Sequence, residues 1–277
     1  MKMTLKLLAA LGIFVSAACA TTKSTGAHAD PETVAKIERV LAESHRTDEE
    51  RARDMYRHPA QTLAFFGLHD NMTVVELFPG RGWFTAVLAP VLADKGRLVL
   101  PIADPNGPED GEGVKYAKAL TARMAAAPDK FSKAQTRIQP MDAWDLGPAG
   151  SADMVVTFRS LHNLKPAELE HLLEAVHTVL KPGGVLGVED HRANPGADPA
   201  KGGDTGYVPE EWVIKTIEAK GFTLDAKSEI NANPKDTKDY PEGVWTLPPT
   251  LALKEQDRDK YVAIGESDRM TLRFVRK

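Results

Sequence analysis

The sequence predicts an α/β domain on a doubly wound sheet of seven strands, mostly parallel with an antiparallel last strand. Three observations carry this. Asp153, Met154, Val155, Val156, Thr157 and Phe158 form a short apolar run, a helical segment follows over 166–180, and Lys181-Pro182-Gly183-Gly184 stops it before a second apolar run at 185–188. Together they read as one βαβ unit of a parallel sheet. Upstream, an apolar strand at 73–77 passes through Pro79-Gly80-Arg81-Gly82 into helical spacing over 83–92. Near the end, 222–230 and 269–276 alternate apolar and polar residues, with Met270, Leu272 and Phe274 on one face. The tight Gly221 connection and this double alternation place 269–276 antiparallel beside 222–230.

Taken in order, the elements begin with an export signal over residues 1–18. Lys2 and Lys6 precede an apolar run at 7–18 that is short for a membrane span. Its removal takes away two lysines and no acid, so the formal charge falls from -4 to -6. Residues 19–30 are small and polar, a tether. The domain proper occupies 31–277. It starts with helices at 31–43 and 48–58, with Asp30 and Asp48 placed to cap them. After the strand at 73–77 and its helix come a strand at 97–102, a helix at 114–126 and a strand near 136–139. The helix at 166–180 starts on Pro166, which suits a first helical turn. A helix at 209–220 ends at Gly221. Between the last two strands, an insertion at 231–268 carries Pro234, Pro241, Pro248 and Pro249 with Tyr240, Trp245 and Tyr261. An ordered loop of that length is held by its own aromatic contacts and suits a lid or substrate-side wall.

Composition narrows the function classes. The 277 residues are 42% hydrophobic and 27% charged, enough to bury one large core. A net charge of -4 leaves no basic face for nucleic acid. The single cysteine, Cys19, excludes an internal disulfide and a Cys-x-x-Cys metal site. It follows Ser16-Ala17-Ala18 and resembles a bacterial lipobox, which would anchor the protein in the envelope through a lipid. Ala18-Cys19-Ala20 and Ala27-His28-Ala29 equally offer ordinary signal-peptidase sites, leaving a periplasmic protein. The sequence does not set the oligomeric state.

The chemistry should gather beyond the carboxyl ends of the strands, where open parallel sheets bind ligands. Arg159, His162 and Asn163 follow one central strand; Glu189, Asp190, His191 and Arg192 follow the next. Both loops should face one crevice, in which His162 or His191 is suited to act as a general base near neutrality. His162, Asp190 and His191 would also suit a divalent ion, but neighbours on a strand point to opposite faces, so no metal site is expected. Gly80-x-Gly82 is half of a dinucleotide fingerprint. Its third glycine falls at Thr85, so the close helix packing of that fingerprint is not encoded.

These residues resemble class I S-adenosylmethionine-dependent methyltransferases, which have a Rossmann-like fold. Glu76-Leu77-Phe78-Pro79-Gly80-Arg81-Gly82 is similar to their ExGxGxG motif, with Phe78 in place of the first glycine. The resemblance implies S-adenosylmethionine as cofactor, its methionine part against Glu76, Gly80 and Gly82, its ribose on Asp104 and its adenine on Asp142 of Met141-Asp142-Ala143-Trp144. More closely, residues 45–277 resemble a bacterial group of predicted, exported methyltransferases, through Arg57-His58-Pro59, Phe158-Arg159-Ser160-Leu161-His162-Asn163, Asp190-His191-Arg192-Ala193 and Val244-Trp245-Thr246-Leu247-Pro248-Pro249. The implied activity is methyl transfer to a small molecule, with His162 and His191 catalytic and Arg159, Asn163 and Arg192 holding the substrate. The alternative is a periplasmic binding or structural protein that retains the fold without catalysis. Export favours that alternative, because the cofactor is made in the cytoplasm.

Overall fold

A computed structural model describes residues 29–108, 110–140 and 143–277. The export segment, Cys19 and nearly all of the tether lie outside these residues. Helix α1 (Pro31–Leu41) begins where expected, because the Asp30 side chain accepts from the Thr33 amide at 2.9 Å and Pro31 opens the first turn. The expected helix at 48–58 is instead two, α2 (Asp48–Ala52) and α3 (Asp54–Arg57), with a turn at Arg53. Thr47, not Asp48, caps α2: its hydroxyl accepts from the Glu50 amide while Glu50 accepts from the Thr47 amide, a reciprocal capping box. His58, in the left-handed region at φ 39°, ends α3, and Pro59 starts α4 (Pro59–Phe66).

The sheet elements then alternate. They run β1 (Thr73–Leu77), α5 (Thr85–Leu92), β2 (Arg97–Ile102), α6 (Glu112–Ala126), α7 (Pro128–Phe131), β3 (Ala134–Ile138), β4 (Ala152–Phe158), α8 (Pro166–Val179) and β5 (Leu180–His191). After these come α9 (Gly202–Thr205), α10 (Glu210–Ala219), β6 (Phe222–Ser228), α11 (Arg258–Ile264) and β7 (Arg269–Arg276). The strand order is β3-β2-β1-β4-β5-β7-β6, and β7 runs antiparallel to both of its neighbours. The doubly wound architecture and the inserted antiparallel last strand are therefore as the sequence predicts. The Pro-Gly-Gly stop lies inside β5, not before it. Ala152 pairs with Leu180 and Met154 with Val185, so Lys181, Pro182, Gly183 and Gly184 bulge out of the ladder.

Successive strand residues feed opposite cores, as a period of two requires. Val74, Met154 and Val156 pack under α1, α4, α5 and α6, whereas Val75, Val155, Leu186 and Val188 pack under α8 and α10. In the first layer the Phe84 and Phe158 rings stack with centroids 3.5 Å apart. Because the order reverses between β1 and β4, their carboxyl ends open a crevice at a topological switch point. Among the described residues no helix is long and apolar enough to cross a membrane.

Candidate active site

The turn after β1 forms one wall of this crevice. Phe78, Gly80 and Gly82 all take positive φ, at 49°, 57° and 81°. Phe78 thus adopts a glycine-like conformation where the resemblance would place glycine, a backbone state that costs a non-glycine residue about 1–2 kcal/mol. The two glycines serve different ends. A Cβ on Gly82 would lie 2.7 Å from Leu120 Cδ1 of α6, so this position closes the packing of turn on helix. A Cβ on Gly80 would meet only the Phe78 carbonyl, at 4.0 Å, leaving that face of the backbone open to a ligand.

The open space is a cavity of about 640 Å³, within the range of ~300–1,000 Å³ typical of small-molecule sites. Its walls come from the β1 turn, the end of β2 at Ile102 and Ala103, the start of α6 at Gly113 and Tyr116, the loop after β4, and Pro249 and Thr250 of the insertion. The insertion therefore contributes two residues to the cavity wall. Glu76 reaches the cavity from β1, buried at 2% exposure, and accepts from the Thr85 hydroxyl at 2.7 Å. Burial pushes its carboxyl up to about 8, against the opposing pull of the Thr85 hydrogen bond and the Arg159 charge. It is neutral at pH 7, beside a space where a cation would favour its ionised form.

Arg159 and Asn163 lie on the cavity wall as expected. Asp104 is exposed next to the lining residue Ala103, and its carboxylate accepts from the Asn106 amide at 2.8 Å, which holds the Asp-Pro-Asn-Gly turn. Asp142 lies outside the described residues. Trp144 packs edge-on against Phe78 at 5.5 Å, behind the turn.

The single crevice expected for His162, Asn163, His191 and Arg192 is corrected by the structure. Asn163 faces the cavity; the other three do not line it. His162 sits in a 3-10 turn (Leu161–Asn163), is buried at 5% exposure, and turns its Nδ1 onto an Asp190 oxygen at 2.8 Å. Asp190 also accepts from the backbone amides of Leu161 at 2.7 Å, His162 at 3.3 Å and His191 at 2.7 Å. The half-buried His191 places its ring 5.1 Å from that of His162 and its Nδ1 2.5 Å from the Ser267 hydroxyl. Trp245 and Tyr207 flank the two imidazoles. Burial and the positive charges of Arg269, Arg159 and Arg57 hold His191 well below its ordinary value and keep it neutral. Arg192 is committed to Asp268, Glu229 and Glu210 at 2.7–3.2 Å and braces the end of β5.

The alternation argument against a metal at His162, Asp190 and His191 also fails geometrically. β5 ends there, and one potential ligand atom from each residue lies within 4.8 Å of the others. Asp190 nevertheless spends both oxygens on the donors just named.

Sequence reasoning missed Arg53 and Arg57, which line the cavity from the N-terminal helices. Arg57 lies within a stretch that carries the family resemblance, but nothing in local periodicity links it to Glu266, the acid it meets across the fold at 3.4 Å.

Comparisons with known proteins agree with this architecture. The first similar structure is a SAM dependent methyltransferase from Aquifex aeolicus, with 17% identity, coverage of 88% of this chain and 98% of that one, and a TM-score of 0.55. The [4+2]-cyclase SpnF matches with 14% identity, coverage of 88% and 93%, and a TM-score of 0.55. An O-methyltransferase (NcsB1) from neocarzinostatin biosynthesis, solved with S-adenosylmethionine and 2-hydroxy-5-methyl naphthoic acid, matches with 14% identity, coverage of 83% and 55%, and a TM-score of 0.52. At these identities the likeness is one of fold, and the cyclase among them illustrates that fold alone does not fix a reaction. No curated protein sequence matches the chain. The model of the methyltransferase domain matches residues 50–224, from α2 into β6 and across the glycine turn and the cavity, and the chain belongs to this methyltransferase family.

Proposed function

We propose that the protein transfers the methyl group of S-adenosylmethionine to a small molecule bound in the cavity beyond β1 and β4. The observation that carries this reading is the Phe78–Gly82 turn, whose open backbone face at Gly80 borders a cavity holding the neutral, buried Glu76. The fit is chemical as well as spatial. The cofactor brings a sulfonium and an ammonium, the kind of charge that a buried, protonated Glu76 lacks as a partner. When bound, S-adenosylmethionine supplies an electrophilic methyl group.

The residues of the chain do the rest. Gly80 admits close approach of a ligand to the backbone, because its open face has no neighbour nearer than the Phe78 carbonyl. Asn163 and Arg159 stand on the acceptor side, and Pro249 and Thr250 of the insertion add to the cavity wall. His162 and His191 act as positioning residues. With Asp190 they fix the 3-10 turn that carries Asn163 to the wall. Most of the rate enhancement then comes from holding two reactants in line, the main task of a catalyst for this displacement. Export and action in the periplasm or at the envelope belong to the same proposal, supported by Lys2, Lys6 and the apolar run after them. Calorimetric titration with S-adenosylmethionine and S-adenosylhomocysteine tests the reading and separates it from a binding or structural role without the cofactor.

A further inference from the structure

Four guanidinium groups crowd one end of the cavity against two carboxylates. Glu266 receives Arg53 at 2.6 Å, Arg57 at 3.4 Å and Arg269 at 3.3 Å, and Glu189 receives Arg159 and Arg269 at 3.0 Å each. Both acids are buried, at 4% and 0% exposure, so the cluster keeps a surplus of positive charge in a region with little water. Arg269 is spent: its Nη1 serves both carboxylates and its Nη2 donates to the Tyr56 carbonyl at 2.7 Å. The other three are not. Arg53 and Arg57 meet Glu266 through Nε alone, and Arg159 meets Glu189 through Nη1 alone.

Each of these three lines the cavity, and among the described residues their remaining guanidinium N–H groups have no protein acceptor. None of those nitrogens is among the sealed, unpartnered side-chain atoms of the described residues, so they remain open to the cavity. The ring of Trp83 fixes Arg57, whose guanidinium lies 4.5 Å from the ring centroid, and Phe84 lies 5.8 Å from Arg159. Glu76 is the sole acid on the cavity wall among the described residues, and it is neutral at pH 7.

We infer that the methyl acceptor carries a compact anionic group, a carboxylate or a phosphate, bound by the free N–H groups of Arg53, Arg57 and Arg159. Planar guanidinium donors suit such oxyanions, and the rings of Trp83 and Phe84 strengthen the contacts of Arg57 and Arg159 by excluding water. The inference rests on the reading of this cavity as a methyl-transfer site, and it gives the acceptor its chemical class. The carboxylate of the cofactor is the competing occupant, and binding data tell the two apart.

The test uses inorganic phosphate as probe, titrated into the protein saturated with S-adenosylhomocysteine and into the protein alone. Phosphate should bind the saturated protein, and Arg159→Gln and Arg53→Gln should each weaken it at least tenfold while S-adenosylhomocysteine affinity stays within about threefold. These variants leave Glu189 and Glu266 paired with Arg269, so the fold should survive both. Unchanged phosphate affinity in both variants, or no binding to the saturated protein, would overturn the inference. Mutual exclusion of phosphate and S-adenosylhomocysteine, with both weakened in the variants, would assign the arginines to the cofactor carboxylate and overturn it as well. Failure of S-adenosylhomocysteine to bind at all is a separate readout, which overturns the methyl-transfer reading and the acceptor claim with it.

Discussion

The Thr85 hydroxyl donates to Glu76 at 2.7 Å, and both side chains are buried where the first strand meets the first helix of the sheet. This one contact joins the end of β1 to the first turn of α5 and holds a carboxyl group that lines the cavity. Burial keeps that carboxyl protonated at pH 7.

Glu76 therefore gives the protein a pH dependence of known sign. Its carboxyl is raised from 4.5 to about 8 in the folded chain, so the folded state binds more protons than the unfolded one between those values. The stabilising contribution is fully present below about 4.5 and is lost as pH rises through 8, at up to about 1.4 kcal/mol per pH unit. Urea denaturation from pH 5 to 8 should show this decline, and Glu76→Gln should flatten it. A Gln variant with the slope of the parent protein would show that other groups set it.

His191 should act in the opposite direction. Its folded value lies well below 6.5, so the unfolded state takes up the proton first and stability falls as pH drops below about 6.5. His191→Gln should remove that acid-side loss without touching the decline that Glu76 causes. Loss of both slopes in this variant would mean that the two groups are coupled.

Gly80 and Gly82 should separate binding from folding. Gly82→Ala places a methyl group 2.7 Å from Leu120 at φ 81°, and should destabilise the fold by about 1–3 kcal/mol. Gly80→Ala meets no such neighbour and should retain more of the stability of the parent while losing cofactor affinity. Thermal denaturation with and without S-adenosylhomocysteine reads both effects. Equal destabilisation would refute the division of labour.

Asp190 should prove structural and His162 dispensable as a base. Asp190→Ala strands the amides of Leu161, His162 and His191, each worth about 1–3 kcal/mol when buried without a partner. An overall loss of at least about 3 kcal/mol is expected in urea denaturation. His162→Asn should lower methyl transfer by less than about tenfold and keep the pH profile of the parent. A loss of 10²-fold or more, typical of a missing general base, together with a lost limb of the profile would return His162 to the chemistry.

How far the sequence could be read depended on where each signal resides. Strands β1 and β2 match their expected bounds because turn-forming residues lie close to both ends of their apolar runs, Asp70-Asn71 and Pro79-Gly80 around β1 and Lys95-Gly96 and Asp104-Pro105 around β2. The edge strand β3 starts two residues earlier than expected, since its residues are largely exposed and carry no apolar pattern. Capping by Thr47 and the break at Arg53 are decided by single dihedrals and side-chain contacts, below the resolution of helical spacing. Arg159 and Asn163 were legible because position after a parallel strand fixes their place at the crevice. The directions of His162 and His191 were not, because an irregular turn and the competing Asp190 acceptor orient them. Arg53 and Arg57 depend on contacts with Glu266, more than two hundred residues away in the chain.

The most direct measurement is isothermal titration of S-adenosylhomocysteine at pH 7, in buffers of different ionisation enthalpy, into the parent protein and Gly80→Val. The parent should bind at one site and release close to one proton as Glu76 ionises, a release that fades above about pH 9. Gly80→Val should lose at least the ~1.4 kcal/mol that makes a tenfold change in affinity. No binding, or binding of equal strength to a folded Gly80→Val without proton release, would contradict the placement of the cofactor on the glycine turn.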